Sequence, residues 1–260
     1  MQERQLNRRQ YFDELASTSK KYFIPYIQKF INLTPATNIL EIGCGDGGNL
    51  LPFSRMGCHV TGCDMAEGRV KDAKRFFEED NAVGDFIASD VFLLKDLEHK
   101  FDVLICHDVI EHIPSKTEFM TKCKTLLKEG GIIFMSFPSW QMPFGGHQQI
   151  CHNKLLAHLP FFHLLPTAAY KKVLELGGEG NSCIRELLSI KETQCPIELF
   201  LKSAKESNFC IVDWTPWFIN PHYEVKFGLK PRLLWKFIGK IPYIRNFFTT
   251  SSFFMLKVEE

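Results

Sequence analysis

Apolar positions along the chain alternate between short dense runs and longer stretches with helical spacing. Asn38–Ile42 (NILEI) is a short apolar run closed by glycines, the pattern of a buried strand. Asn49–Met56 fits a helix ended by Gly57, and His59–Cys63 reads as a second strand. Ala66–Glu79 predicts a charged helix, Asp85–Ala88 a third strand and Asp102–Cys106 (DVLIC) a fourth. Lys116–Lys128 sets Phe119, Met120, Cys123, Leu126 and Leu127 at helical spacing, with Gly130-Gly131 closing the helix. Ile132–Phe137 (IIFMSF) predicts a fifth strand, Asn208–Phe218 (NFCIVDWTPWF) a sixth and Ser252–Val258 (SFFMLKV) a seventh. Ahead of them, Lys20–Ile31 predicts a helix that stops near Pro35. Strands separated by helical segments predict parallel βαβ units: an α/β, doubly wound, mostly parallel seven-stranded sheet with insertions after strands 5 and 6. Ligands of such sheets bind outside the carboxyl ends of the strands.

Composition narrows the function classes. With 31 Lys+Arg, 30 Asp+Glu and 45% hydrophobic residues, the chain is too apolar for disorder and too balanced for a dedicated nucleic-acid binder. Nine cysteines, an odd number, are scattered along it, and Cys63 and Cys106 sit in strand-like runs where a thiol acts as a small hydrophobe. The charged opening MQERQLNRRQ is not followed by an apolar run, and no stretch of about 18 apolar residues exists. The expectation is therefore a reduced, cytoplasmic protein. Charge is uneven: residues 35–137 hold eleven bases and seventeen acids, whereas residues 221–260 hold seven bases and three acids.

The sharpest chemistry lies in the turn after the first strand. Glu41-Ile42-Gly43-Cys44-Gly45-Asp46-Gly47-Gly48 joins that strand to a helix, and glycines there let the backbone turn tightly and approach a ligand. Gly43, Gly45 and Gly48 satisfy the dinucleotide pattern G-x-G-x-x-G, while Gly43, Gly45 and Gly47 satisfy G-x-G-x-G, so the glycines alone leave both cofactors open. Asp64 ends the second strand, where an acid accepts two ribose hydroxyls and repels a 2′-phosphate. Glu41 and Asp46 beside the turn would repel a pyrophosphate and stabilise an ammonium or a sulfonium. That favours a cationic amino-acid nucleoside over NAD, whose oxidoreductases are the alternative.

Five ordered motifs extend this reading: ILEIGCGDG (39–47), VTGCD (60–64), GDFIASDVF (84–92), FDVLICHDVIEHI (101–113) and LLKEGGIIFMSFP (126–138). Together they resemble the class I S-adenosylmethionine (SAM)-dependent methyltransferases, which have a Rossmann-like fold, and DVIEHI is most similar to the branch containing ubiquinone-biosynthesis O-methyltransferases. The resemblance implies that Glu41, Gly43, Cys44, Gly45, Asp46 and Gly47 surround the methionine end of the cofactor. It further implies that Asp64 takes the ribose hydroxyls, Met65 packs on the adenine, and Asp90 and Val91 meet the adenine amino group and ring. The backbone of His107 would reach the methionine ammonium, and Tyr11 would close over the cofactor. Simpler roles compete: a turn or cap for Asp90, packing for His107, and a solvent-facing pair for Glu111 and His112. A hydroxyl acceptor benefits from a general base, for which His107, His112 and His147 are the candidates.

The resemblance divides the chain into a helical segment covering the cofactor site (1–34), a SAM-binding core (35–138), an acceptor-lid insertion (139–207), and strands 6 and 7 with a basic aromatic insertion at 221–250 (208–260). The lid holds four His and one Cys within 17 residues (His147, Cys151, His152, His158 and His163), at a spacing that matches no familiar zinc pattern, so no metal is assigned. An acceptor pocket in which His147, Gln148 and Gln149 bond hydroxyls is the reading for it, with a sugar, glycan intermediate or phenol as the small-molecule acceptor. Residues 221–250 interleave six bases with aromatics, and Arg232–Phe237 and Ile241–Phe248 predict short amphipathic helices. A solvated basic face, a peripheral patch on the inner membrane surface that meets a lipid-linked acceptor, and an RNA contact are the open readings of this segment. A non-catalytic membrane-surface adaptor is a further alternative for the whole chain.

Overall fold

The computed structural model describes residues 7–259, so residues 1–6 of the expected N-terminal segment lie outside the described residues. Helix α1 (Arg8–Thr18) continues through a π-helical turn at Ser19–Phe23 into α2 (Ile24–Ile27). The helical entry therefore begins before the expected Lys20–Ile31 segment and ends earlier. Asn7 caps α1 by accepting from the Gln10 amide. Strands β1 (Asn38–Ile42), β2 (His59–Asp64), β3 (Asp85–Ala88), β4 (Phe101–His107) and β5 (Leu127–Phe137) alternate with α3 (Leu51–Arg55), α4 (Glu67–Glu79) and α5 (Lys116–Leu126). Residues 139–207 contribute α6 (Lys154–His158), α7 (Thr167–Leu176), α8 (Asn181–Thr193) and α9 (Ile197–Glu206). The chain ends with β6 (Phe209–Ile219), α10 (His222–Phe227), β7 (Arg232–Leu233), α11 (Lys236–Gly239) and β8 (Ser251–Val258).

The sheet order is β3-β2-β1-β4-β5-β8-β6-β7. Strands β1 to β5 are parallel, and β8 runs antiparallel between β5 and β6. Eight strands, rather than the expected seven, make the sheet. The additional one is Arg232–Leu233, pairing with Trp217 and Ile219. This segment was expected to begin a helix, but the edge of β6 offers it ladder partners, and only Lys236–Gly239 and a 3₁₀ turn at Ile244–Phe248 are helical there. Gly130-Gly131 also differ from expectation. They lie inside β5, with Gly130 at φ +73°, and α5 stops before them.

Alternate residues of the strands feed two cores. Ile39, Val103, Ile105, Phe134 and Phe253 pack under α1, α2 and α4. Leu40, Leu104, Cys106, Ile133 and Phe254 pack under α5 and α9. Period-two burial on both faces is what a sheet covered by helices requires. A third, smaller core belongs to the 139–207 insertion alone and includes Cys151, Leu156, Phe162, Tyr170, Leu174 and Leu187. All nine cysteines are free thiols. No helix among the described residues is long and apolar enough to cross a membrane.

Phe254 ties three elements together. Its ring stacks on Trp214 of β6 at 5.7 Å and on Phe137 of β5 at 5.7 Å, and it meets Phe200 of α9 at 4.5 Å. Phe254→Ala should therefore cost about 3–5 kcal/mol of unfolding free energy in urea titrations.

Candidate functional site

The parallel register brings the ends of five strands to one rim. Ile42 of β1 is level with Cys63 and with Cys106, Asp64 with Ala88, and His107 with Ser136. The turn leaving β1 is fastened to this rim. The Gly43 and Cys44 amides donate to the Cys63 carbonyl at 2.7 and 3.1 Å, and the Gly45 amide donates to Asp64 Oδ2 at 2.9 Å. Asp64 Oδ1 accepts from the Ala66 amide at 2.8 Å, which starts α4. Gly43 and Gly47 are obligatory here. Both have positive φ, and an added Cβ would lie 2.3 Å from Val109 Cγ2 at Gly43 and 2.8 Å from Phe86 at Gly47.

Glu41 is buried one residue before the turn's edge. One carboxyl oxygen accepts from Asn49 Nδ2 at 2.7 Å, and the other has no protein partner. Burial, with the Asp64 charge adding to it, raises this carboxyl to about 8 against the bond from Asn49. Asp46, also buried, is answered differently: Arg8 pairs with it directly and Arg69 lies 3.8 Å away. Its charge is thus largely matched by arginines, leaving Glu41 and Asp64 as the turn's remaining acids. Cys44 and Val91 are buried, whereas Met65 is 76% exposed on the rim. Asp90 caps the turn after β3 by accepting from the Phe92 amide at 3.0 Å. Tyr11, on α1, is half-buried with its ring edge on His222, and burial, with the Asp108 charge adding, pushes its phenol up to about 12.

Beyond β4 lies a second group. His107 Nδ1 is 3.2 Å from Ser136 Oγ, its Nε2 is 3.5 Å from Asp108 Oδ2, and its ring meets Phe23 edge-on at 4.9 Å. Asp108 has φ +53°, a left-handed conformation that turns the chain sharply at the strand end. Three residues on, Glu111 is buried and neither carboxyl oxygen has a hydrogen-bond partner, His112 Nε2 standing 3.9 Å away, so burial, with Asp108 adding, holds it well above the usual carboxylate range. Glu111 is therefore not the solvent-facing residue that a simple helix start would make it. His112 lies beside it, and the His112 and His147 rings face each other at 5.0 Å, nearly perpendicular. Burial lowers both imidazoles, His147 to about 4 with His112 and His163 contributing. One ligand atom each from Glu111, His112 and His147 lies within 4.8 Å of the others, and the same holds for buried Cys151, Glu179 and Cys183. Both groups have the donors to hold a divalent ion.

In the lid, the Gln148 Nε2 donors expected to face an acceptor are turned inward. Gln148 is fully buried and spends its amide on the Pro143 and Leu159 carbonyls. His163 Nε2 bonds the Trp140 carbonyl, and His158 Nδ1 bonds that of Lys154. These donors bond carbonyls of their own loop, while Gln148 Oε1 stays buried without a protein partner. His147 alone of that cluster turns toward the β4 group. Sequence reasoning missed Arg8, Asp108 and Glu111. The last two stand inside the CHDVIEH motif, but their burial and backbone conformation become visible only in three dimensions.

Comparison with known proteins places the strand-rich core beside a known family. Residues 40–135 match the family described as a methyltransferase domain. The chain is 36% identical over 98 residues to a ubiquinone biosynthesis O-methyltransferase of Mesorhizobium japonicum, covering 38% of this chain and 39% of that protein. It is 31% identical over 137 residues to the enzyme of the same name from Histophilus somni, covering 49% and 58%. The matched segment thus spans between about two fifths and three fifths of these relatives. Among solved structures, a putative sarcosine dimethylglycine methyltransferase from Galdieria sulphuraria aligns over 92% of this chain and 84% of that one, with TM-score 0.60 and 11% identity. Magnesium protoporphyrin IX methyltransferase from Synechocystis PCC 6803, solved with bound SAH, aligns over 95% and 84%, with TM-score 0.56 and 17% identity. At such identities the likeness concerns the fold.

The raised Glu41 carboxyl couples stability to pH. Its folded-state proton affinity exceeds the unfolded one, so its contribution is full below about 4.5 and is lost as pH rises toward about 8. Glu41→Gln should remove a slope of up to ~1.4 kcal/mol per pH unit across that interval. Urea denaturation of both proteins from pH 5 to pH 8 measures it.

Proposed function

We propose that this chain, whose residues 40–135 match a methyltransferase domain, is a class I SAM-dependent enzyme that transfers a methyl group to a small-molecule acceptor, at a hydroxyl of a sugar, glycan intermediate or phenol. The supporting observation is the rim itself: the glycine turn, Asp64, Asp90 and His107 stand at the ends of four neighbouring parallel strands. The residues suit SAM. Glu41 keeps a buried oxygen without a protein partner beside the turn, the chemistry that receives an ammonium. Few positive groups that would receive a pyrophosphate stand free here, since Arg8 is engaged by Asp46 and Asp72.

When bound, SAM supplies an electrophilic methyl on a sulfonium. Glu41 and the turn from Gly43 to Gly47 hold the methionine end, Asp64 the ribose hydroxyls, and Asp90, Val91 and Met65 the adenine. Tyr11 covers the site from α1, and the insertion at 139–207 closes over the acceptor. Orientation of acceptor and methyl, with water excluded, lowers the barrier by several kcal/mol, on the order of 7–11 in well-aligned systems. His112 and His147 stand where the lid meets the core, and burial keeps both neutral near pH 7, so each offers an unprotonated nitrogen to an acceptor hydroxyl. His107, bonded to Ser136, orients the strand end. The O-methyltransferase relatives support oxygen as the receiving atom.

Two measurements test this reading. Calorimetry should show SAM binding in preference to NAD, with Asp64→Ala weakening it at least about tenfold (~1.4 kcal/mol), because that carboxylate both meets the ribose and fastens Gly45. NAD preference, or unchanged SAM affinity in the variant, would overturn the assignment. With labelled SAM and a small-molecule extract, His147→Ala should lower kcat by about 10²-fold or more with little change in SAM affinity. An unchanged kcat would remove His147 from the reaction.

A further inference from the structure

Residues 227–248 carry a heavy load of uncovered apolar side chains. Trp235 is 58% exposed, Phe237 66% and Tyr243 68%, and Leu229, Leu233 and Ile241 are exposed beside them. Soluble monomers seldom leave so many large apolar groups together in water. The segment is nonetheless held firmly. Leu234 is buried beneath it and its amide donates to the Pro216 carbonyl at 2.9 Å. Trp235 stacks on Phe218 at 5.8 Å and on Phe237 at 6.1 Å. At the far end, Glu198 of α9 accepts from the Tyr243 amide at 2.8 Å and from Arg245 Nε at 3.0 Å.

Two of the outward rings sit on strained backbone. Tyr243 and Phe161 both have φ +64°, a positive-φ backbone that costs a bulky residue of order 1–3 kcal/mol. Phe161 comes from the 139–207 insertion, yet its ring lies 6.3 Å from Phe247, so the apolar surface runs across both insertions. Strain spent to keep aromatic rings in water is unfavourable unless something covers them.

The charge around the rings identifies what does. From Val225 to Val258 the chain has no acidic residue. Lys230, Arg232, Lys236 and Lys240 make no ion pair among the described residues. Aromatic and aliphatic side chains interleaved with unpaired bases form the pattern of a segment lying in a membrane interface. Two identical copies meeting through this face would set like charges together. Single-stranded nucleic acid needs open aromatic faces, but Trp235 is stacked on both Phe218 and Phe237, and Leu229, Leu233 and Ile241 cannot stack on bases.

We infer that residues 227–248, with Phe161, dock on an anionic lipid bilayer: the rings enter the headgroup–acyl boundary and the four bases meet lipid phosphates. This rests on the surface alone and holds whether or not the rim binds SAM. The test is flotation of the full chain with vesicles of phosphatidylcholine alone and of equimolar phosphatidylcholine and phosphatidylglycerol. The protein should float with the anionic vesicles and stay behind with the neutral ones. Lys236→Glu with Lys240→Glu should lower partition at least about tenfold, at about 1 kcal/mol per base near the surface. Trp235→Ala with Phe237→Ala should lower it in low salt as well, with the thermal midpoint and SAM binding of each variant unchanged. Equal partition onto both vesicles, or none onto either, overturns the inference. So does sedimentation showing a dimer that Trp235→Ala dissociates, or binding of oligoribonucleotide without binding of vesicles.

Discussion

The amides of Gly43 and Cys44 share one acceptor, the Cys63 carbonyl, and the Gly45 amide takes the Asp64 carboxylate. These three bonds stitch the turn leaving β1 to the end of β2. Because the five parallel strands hold register with one another, fixing one strand end fixes the rim, and Asp90 and His107 are set relative to the turn by the same ladder. A glycine turn with loose ends would have the same sequence and no defined site. The stitching needs positive φ at Gly43, Gly45 and Gly47, which is the physical reason that no Cβ stands there.

Charge compensation then divides the acids of the rim. Asp46 is neutralised by Arg8 of α1, so the N-terminal helix is electrostatically as well as sterically part of the turn. Phe12 lies against Gly48 from the same helix, where an added Cβ would be 2.4 Å from the Phe12 carbonyl oxygen. Glu41 receives no such cation and keeps one oxygen without a partner. In a buried setting that carboxyl is protonated or faces a positive ligand. Glu111 is the parallel case on the lid side, and burial, with the Asp108 charge adding to it, raises the phenols of Tyr11 and Tyr223 as well as the Glu111 carboxyl.

The basic aromatic segment follows another logic. Its anchors, Leu234 and the bonds to Glu198, are spent on keeping a rigid apolar surface outward, near the insertion that would cover an acceptor.

The sequence by itself determined the strands and the turn. Asn38–Ile42 and Asp85–Ala88 begin and end where their pattern predicts, and the other three parallel strands overlap their predicted ranges, because a buried strand is rich in apolar residues and a tight turn favours glycine. It did not determine what Gly130-Gly131, Arg232-Leu233 or Gln148 would do. The glycines could cap α5 or extend β5, and only the neighbouring strand decides. Arg232-Leu233 became a strand because the edge of β6 was open to it. Gln148 looked like a ligand-binding amide, and its Nε2 is spent on carbonyls of its own loop. Local pattern reports the backbone a residue prefers and the solvent it avoids. Which partner satisfies a buried polar atom, and whether an acid is met by an arginine or left waiting, depends on residues tens to hundreds of positions away, and those meetings exist only once the chain has folded.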